Sequence, residues 1–309
     1  MPNKLEKINN YGHPGTFAYK RFFYRSAIIG VLRPHRVVFS HRRYGQDSNF
    51  RFHPRGRKNW YRLFNVPEDM TVPFTYYDYS RAVGLMKVIE GLGVNFRYLM
   101  HLKSEFWFYH PLVLGDQYTI DYIFEDVRQI KKDKGAIVGY SGIRQADKVF
   151  QETRDHFVIK AVPEKYMTHL LPDETNQFKS LTRLPAEPLV GCQKQEINIP
   201  SDLAKKYSKA SGDYNIVHTS PRLARYFGYD RPFIQGLCTA NLILRELVMA
   251  GISLDYFAIT FCRPVYMPSR VTLLFTPFEF RLQDEEDHIL CFGSLNNGTQ
   301  LKMVELQSS

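Results

Sequence analysis

The chain has 309 residues, of which 44% are hydrophobic and 23% charged, and its formal net charge is +10. This balance excludes an intrinsically disordered chain, which would contain far fewer apolar residues. The length allows two domains that each bury a core. The longest apolar run near the N-terminus, residues 27–32, is too short to span a bilayer, and no signal peptide is visible. We therefore expect a cytoplasmic protein, with the mitochondrial matrix as the alternative, because no acidic residue lies between Glu6 and Asp47.

The cysteines and histidines show no spacing that is typical of a metal site. Cys192, Cys238, Cys262 and Cys291 form no CxxC pair. We interpret them as buried thiols in a reducing compartment rather than as disulfides or zinc ligands. Neither a P-loop nor the glycine motif of a dinucleotide-binding fold occurs. The sequence therefore predicts no metal and no bound cofactor.

The positive charge is concentrated at the start of the chain. Residues 1–70 hold 14 Lys and Arg against 4 Asp and Glu, so the whole surplus of ten lies there. Such a patch suits an anionic partner, such as a nucleotide phosphate, an acidic carrier protein, a membrane surface or nucleic acid. A basic face that serves only solubility is the alternative. The basic amphipathic stretch 19–32 keeps membrane or nucleic-acid binding open, although we expect neither as a partner.

Two successive parts of the chain show the same order of predicted elements. The first has a helix over residues 80–92 and strands over 102–109, 118–126, 136–144 and 149–160. The second has a helix over 234–249 and strands over 259–265, 271–282, 288–294 and 301–306. The strings "FYHPLVLGD" from Phe108 and "FCRPVYMPS" from Phe261 are similar and occupy the same place in each part. This repetition indicates an internal duplication.

A long helix followed by antiparallel strands, made twice, predicts an α+β architecture. We assign residues 1–70 to a basic N-terminal segment, 71–162 to a first unit and 201–309 to a second unit. Residues 163–200 contain five prolines and little periodicity, which is typical of a linker. We expect the strands of each unit to curl around its helix. The two units should pair face to face, which would hide the edges of their sheets.

One short stretch concentrates groups that can transfer protons. Asp213, Asn215 and His218 fall within six residues, between a helix that Gly212 should end and a helix that Ser220 should cap. A loop held between two helices can aim a carboxylate and an imidazole at a single water molecule. The alternative is that Asp213 and Asn215 only cap turns, as these residue types often do.

The string "SGDYNIVHTSPRLARYFGYDRPFIQGLCTA" resembles the hydratase-2 motif of MaoC-like (R)-specific enoyl-thioester hydratases and dehydratases, and "FCRPVYMPS" resembles a strand motif of the same family. The resemblance implies a double hotdog, in which each antiparallel sheet wraps a long central helix and only the second unit keeps the catalytic motif. It also implies roles for individual residues: Asp213 and His218 as the catalytic pair, the Gly236 N–H as the oxyanion donor, and Ser211, Asn215 and Gln235 in shaping the site. The chain departs from the family at Ile216, where Pro is usual, and at Gln235, where His is usual.

The implied function is that of a hydro-lyase of fatty acid metabolism that interconverts trans-2-enoyl and (3R)-3-hydroxyacyl thioesters. The substrate would be an acyl-CoA or an acyl carrier protein thioester, and no cofactor is required because the thioester itself acidifies the α proton. We expect Arg55, Arg57 and Lys58 to bind the phosphates of the carrier. The alternative is a non-catalytic acyl-thioester binding or scaffold protein, in which Gln235 marks lost turnover. A homodimer is left open.

Overall fold

The computed structural model describes residues 6–7, 17–32, 34–35, 43–51, 54–74, 93–125, 127–167, 170–172 and 183–296. Its strands are β1 Glu6–Lys7, β2 Arg43–Arg51, β3 Leu99–Phe108, β4 Gln117–Phe124, β5 Arg128–Lys131, β6 Lys134–Gln145, β7 Lys148–Ile159, β8 Leu171–Pro172, β9 Gln193–Ile199, β10 Tyr256–Phe261, β11 Ser269–Phe275, β12 Glu279–Gln283 and β13 Ile289–Leu295. Its α-helices are α1 Phe17–Leu32, α2 Pro54–Phe64, α3 Glu164–Met167, α4 Leu203–Ser211, α5 Pro221–Tyr226 and α6 Gly236–Met249, and short 3₁₀ helices span Phe96–Tyr98 and Ile216–His218. The helix predicted over 80–92 and the strand predicted over 301–306 lie outside the described residues.

The described strands form one 13-stranded sheet that runs through both units. The main order is β1-β2-β4-β6-β7-β3-β10-β13-β12-β11-β9, and β5 pairs with β6 and β8 at its side. The units meet where β3 and β10 pair antiparallel, with Tyr256 opposite Trp107 and Thr260 opposite Lys103. The prediction of face-to-face pairing is therefore wrong. The units join edge to edge, and each edge strand satisfies the exposed N–H and C=O groups of the other.

The order of the strands confirms the internal duplication. The first unit runs β4-β6-β7-β3 and the second runs β11-β12-β13-β10, which is the same order. The two similar strings also match in detail. The N–H groups of Tyr109 and His110 both donate to the carbonyl oxygen of Phe150, and those of Cys262 and Arg263 both donate to that of Leu290. The two units thus share one pattern of antiparallel strands.

Each unit includes a strand from a segment that composition alone places outside the unit. Strand β2 comes from the basic segment and pairs with β4, and β9 comes from the proline-rich linker and pairs with β11. Helix α2 also belongs to the basic segment, yet its Trp60 is only 2% exposed and stands 5.5 Å from the ring of Tyr207 on α4. The basic segment therefore contributes to the sheet and to the core as well as to the charge.

Helix α6 forms the centre of the second unit, as the apolar periodicity predicts. Cys238, Ala240, Ile243, Leu244 and Leu247 are fully buried in one core that extends to strands β9 to β13. This arrangement places the N-terminus of α6 at one end of the core. Among the described helices, none is both long and apolar enough to cross a bilayer.

One predicted strand is in fact two. The run 271–282 contains β11 and β12, separated by a turn in which the N–H groups of Phe278 and Glu279 donate to Thr276 Oγ1. Pro277 lies in this turn, where its missing N–H removes no bond from the ladder. Strand β10 also starts earlier than the predicted 259–265. It ends earlier as well, because Pro264 follows it closely.

Candidate active site

The loop that carries the acidic and imidazole groups is held at both ends by helix caps. Helix α4 ends at Gly212, whose φ of +82° is the left-handed conformation that glycine adopts without a Cβ penalty. After the loop, the Ser220 hydroxyl accepts a hydrogen bond from the N–H of Leu223, and Pro221 opens helix α5. The predicted helix end and cap are confirmed. The segment from Asp213 to His218 therefore has a defined entry and a defined exit.

Hydrogen bonds within the loop occupy one carboxylate oxygen of Asp213 and do not involve the other one. The N–H of Asn215 donates to Asp213 Oδ1 at 3.1 Å, and the N–H of Val217 donates to the Asn215 side chain at 3.3 Å. Ser211 is buried and accepts from the N–H of Asp213 at 3.1 Å. The turn-capping interpretation is thus correct for Asn215 and for Oδ1. Within the described residues, Asp213 Oδ2 accepts no hydrogen bond and remains available to a water molecule.

His218 is held as a neutral imidazole with one free nitrogen. Its side chain is buried, and its Nδ1 lies 3.0 Å from the carbonyl oxygen of Phe233. A carbonyl can only accept, so Nδ1 carries the proton and Nε2 keeps its lone pair. Burial lowers the pKa of His218, an effect larger than the opposing attraction of the Asp213 charge. The result is an uncharged base beside a carboxylate.

Asp213, Asn215, His218 and Gly236 all line one cavity of about 660 Å³. That volume lies within the range of small-molecule sites. The structure therefore brings four of the predicted site residues to one wall. Ser211 and Gln235, by contrast, are buried behind that wall and do not line the cavity.

The opposite walls come from parts of the chain that carry no catalytic motif. Strands β3, β4 and β7 of the first unit contribute a mostly apolar set of residues: Leu99, Met100, His101, Phe124, Asp155 and Phe157. Helix α1 adds Ile28, Val31 and Leu32, the apolar positions of the stretch whose amphipathic pattern also suggested a membrane or nucleic-acid surface. Sequence reasoning missed both walls. The only sequence signal for these walls is apolar periodicity. Periodicity indicates that a helix or strand has an apolar face, but it does not indicate which part of the protein that face will contact.

Gly236 is the first residue of helix α6. The first N–H groups of a helix have no partner within it, and the helix dipole favours negative charge at that end. A Cβ atom on this residue would lie 3.2 Å from the ring of Phe261, so the absence of a side chain also lets that ring pack closely. The position therefore offers a backbone donor at the cavity wall.

Gln235 ties three pieces of the second unit together. Its Nε2 lies 3.0 Å from Ser208 Oγ, 3.3 Å from the carbonyl oxygen of Ala204 and 3.4 Å from that of Asp213. The residue therefore anchors helix α4 and the loop to the start of α6. Its Oε1 has no hydrogen-bond partner in the described part of the chain.

Two of the three predicted phosphate-binding residues do not line the cavity. Arg57 donates to the Tyr61 hydroxyl at 2.9 Å and lies over that ring, and neither Arg57 nor Lys58 lines the cavity. The side chain of Arg55 lies outside the described residues. Among the described residues, the cations that line the cavity are the half-buried Lys160 and the exposed Arg263.

The four cysteines carry free thiols, but only two match the prediction of buried residues. Cys238 and Cys291 are buried, whereas Cys192 is half-buried and Cys262 is exposed at the cavity. Partial desolvation raises the pKa of Cys262 to about 11. Its thiol is therefore protonated at neutral pH and is not an activated nucleophile.

Comparisons with known proteins find similarity to one family of enzymes. Residues 186–289 match the model of the MaoC like domain. The chain is 21% identical over 212 residues to 3-hydroxyacyl-thioester dehydratase X of Mycobacterium tuberculosis, covering 65% of this chain and 69% of that one. It is 34% identical over 74 residues to the peroxisomal enoyl-CoA hydratase 2 of Arabidopsis thaliana, covering 24% and 23%.

The fold is also similar to a solved structure. The crystal structure of HtdX from Mycobacterium tuberculosis matches with a TM-score of 0.62 at 15% identity, covering 82% of this chain and 98% of that one. This likeness extends over both units and confirms the double hotdog architecture.

We predict that Gln235→Leu lowers the free energy of unfolding by about 1–3 kcal/mol, because it removes the buried donor that three acceptors share. Urea denaturation followed by circular dichroism measures the change. Gln195→Leu is the matched control, since that side chain is exposed on β9 and donates only to its neighbour's carbonyl. Equal effects of the two changes would contradict the anchoring role.

Proposed function

Because the chain carries a MaoC-like domain over residues 186–289, we propose that it is a hydro-lyase that interconverts trans-2-enoyl and (3R)-3-hydroxyacyl thioesters. One observation carries the proposal. Asp213 Oδ2 and His218 Nε2 are two proton acceptors without a protein partner among the described residues, on the cavity wall where helix α6 begins. Two acceptors that line one cavity and interact electrostatically suit a single bound water molecule.

The proposed chemistry follows from what these two groups can accept. The water molecule donates one hydrogen to Asp213 and one to His218, which turns an oxygen lone pair towards C3 of the enoyl group. As the O–C3 bond forms, one acceptor takes a proton, the C2–C3 π pair moves into the C1–C2 bond, and the carbonyl π pair moves onto the thioester oxygen. The enolate then collapses, and C2 takes a proton from the protonated acceptor. Dehydration is the same sequence in reverse.

The developing negative charge needs a fixed donor. We assign this role to the backbone N–H of Gly236, since a donor placed where charge appears stabilises the transition state more than the substrate. No cofactor is required in this scheme, because the thioester carbonyl itself acidifies the proton on C2.

We propose that the substrate is an acyl-CoA or an acyl carrier protein thioester, and that its acyl chain lies against the apolar walls of the cavity. The names of the two curated relatives, a 3-hydroxyacyl-thioester dehydratase and an enoyl-CoA hydratase, support this substrate class. The alternative of a non-catalytic acyl-thioester binder rests on Gln235 in place of the family's His. Gln235 points behind the cavity wall and leaves both acceptors in place, so this departure does not favour the alternative.

The decisive test is the hydration of crotonyl-CoA, followed by the loss of enoyl-thioester absorbance. We predict that Asp213→Asn and His218→Ala each lower kcat by about two to four powers of ten, because each removes a positioned acid–base group. The double variant should be little slower than either single one, since the two groups act on one water. Turnover near the wild-type rate in either single variant would reject the assignment, and no turnover by the wild type would favour the binder.

We predict that kcat/KM falls as the pH drops, along a limb whose midpoint lies below 6.5, the ordinary pKa of histidine. The sign follows from the role of the residue. His218 must be neutral to accept a proton, its burial lowers its pKa, and activity is therefore lost only when the pH falls through that lowered value. A pH series of initial rates measures the limb, which should persist in the residual activity of Asp213→Asn. A midpoint at or above 6.5 contradicts the assignment.

We further propose that the phosphates of the carrier meet Lys160 and Arg263, which line the cavity. Replacing both with Gln should raise KM for crotonyl-CoA by about two- to fivefold at low salt, because each exposed pair contributes modestly, and should flatten its salt dependence. The triple change of Arg55, Arg57 and Lys58 to Gln tests the sequence-based prediction in parallel. A salt-dependent rise in KM in the triple variant alone would place the phosphates on helix α2 instead.

A further inference from the structure

The first unit brings a second polar cluster to the same cavity. Ser104 Oγ lies 2.6 Å from Asp155 Oδ1 and 2.9 Å from His101 Nε2, and the His101 and Asp155 side chains are 3.3 Å apart. His101 and Asp155 both line the cavity. The cluster joins strand β3 to strand β7 and is separate from the Asp213–His218 loop.

The hydrogen bonds fix which nitrogen of His101 carries a proton. A carboxylate only accepts, so the Ser104 hydroxyl donates its single proton to Asp155. His101 Nε2 must then be the donor to Ser104 Oγ and Asp155. Within the described residues, Nδ1 of His101 has no hydrogen-bond partner, and in the neutral ring it is an acceptor. Ser104 is fully buried and its proton is committed, so the cluster is not an activated nucleophile.

His101 and the first residue of helix α6 lie against the same aromatic ring and line the same cavity. The His101 ring stacks on Phe157 with centroids 4.6 Å apart and lies 5.1 Å from the ring of Phe261. Phe261 in turn packs against Gly236. An acyl chain that runs along Phe261 from Gly236 would meet this imidazole.

A purely alkyl chain would remove water from Nδ1 and give it no partner, which is unfavourable for a polar atom. A chain that carries a hydroxyl group would supply the missing donor. We propose that His101 is a polar subsite for the acyl chain, which accepts a hydrogen bond from a hydroxyl group beyond C3, and that Asp155 and Ser104 position its ring. The inference rests on the proposed function, and it narrows the substrate class to hydroxylated acyl thioesters.

Binding of saturated thioesters tests the subsite without any turnover, because a saturated chain cannot be hydrated. Isothermal titration compares octanoyl-CoA with octanoyl-CoAs that carry a hydroxyl group on C5, C6, C7 or C8. The wild-type protein should bind at least one hydroxylated chain about tenfold more tightly than the plain chain, since one satisfied hydrogen-bond acceptor is worth about 1.4 kcal/mol. His101→Phe should abolish this preference. Met100→Leu, an apolar change on the same wall, should keep it.

Nitrogen-15 NMR of the wild-type protein provides a measurement that depends on no variant. His101 should carry its proton on Nε2, whereas His218 should carry its proton on Nδ1. The Nδ1 resonance of His101 should shift when the preferred hydroxylated chain is added and not when octanoyl-CoA is added. A proton on Nδ1 of His101, or equal binding of plain and hydroxylated chains by the wild type, would overturn the inference.

Crotonyl-CoA hydration by the same wild-type preparation separates the two proposals. Turnover without any preference for a hydroxylated chain would support the proposed hydro-lyase activity and reject the proposed subsite. A preference for a hydroxylated chain without turnover of crotonyl-CoA would support the subsite and reject the hydro-lyase activity.

Discussion

The antiparallel pairing of β3 with β10 is the interaction on which the rest of the structure depends. It turns two duplicated sheets into one and satisfies an edge strand of each. It also sets the distance between groups that the chain places far apart, since His101 lies on β3 and Phe261 ends β10. Without that register, the cavity would have one wall.

The two copies have diverged into complementary roles around this junction. The second copy keeps the loop with Asp213 and His218, where each side chain uses one polar atom to hold the local structure and leaves another one free. The first copy contributes strands that close the cavity, together with a cluster whose hydrogen bonds leave the Nδ1 atom of His101 unpaired among the described residues. In both copies, satisfied hydrogen bonds determine which atoms remain available, and this pattern carries more chemical information than the residue types alone.

The N-terminal quarter of the chain has a structural role that its charge composition does not indicate. Its composition predicts an anionic partner, yet Trp60 is buried against the second unit and β2 extends the sheet of the first. The guanidinium of Arg57 lies over the Tyr61 ring, and this residue does not line the cavity. A surplus of charge is a property of a surface. It does not reveal which apolar residues of the same segment are buried beneath it.

The sequence alone determined the local features: the left-handed turn at Gly212, the Ser220 cap, the Asn215 turn and the central helix of the second unit. Each of these depends on hydrogen bonds or apolar spacing within a few residues, which the order of amino acids specifies directly. Only the tertiary structure decided the edge-to-edge joining of the units, the anchoring by Gln235, the far wall of the cavity and the His101 cluster. Those features join residues that are far apart in the chain: Gln235 and Ser208 are 27 positions apart, and Ser104 and Asp155 are 51. No local pattern encodes such contacts, because they exist only after the strands have paired and the core has packed.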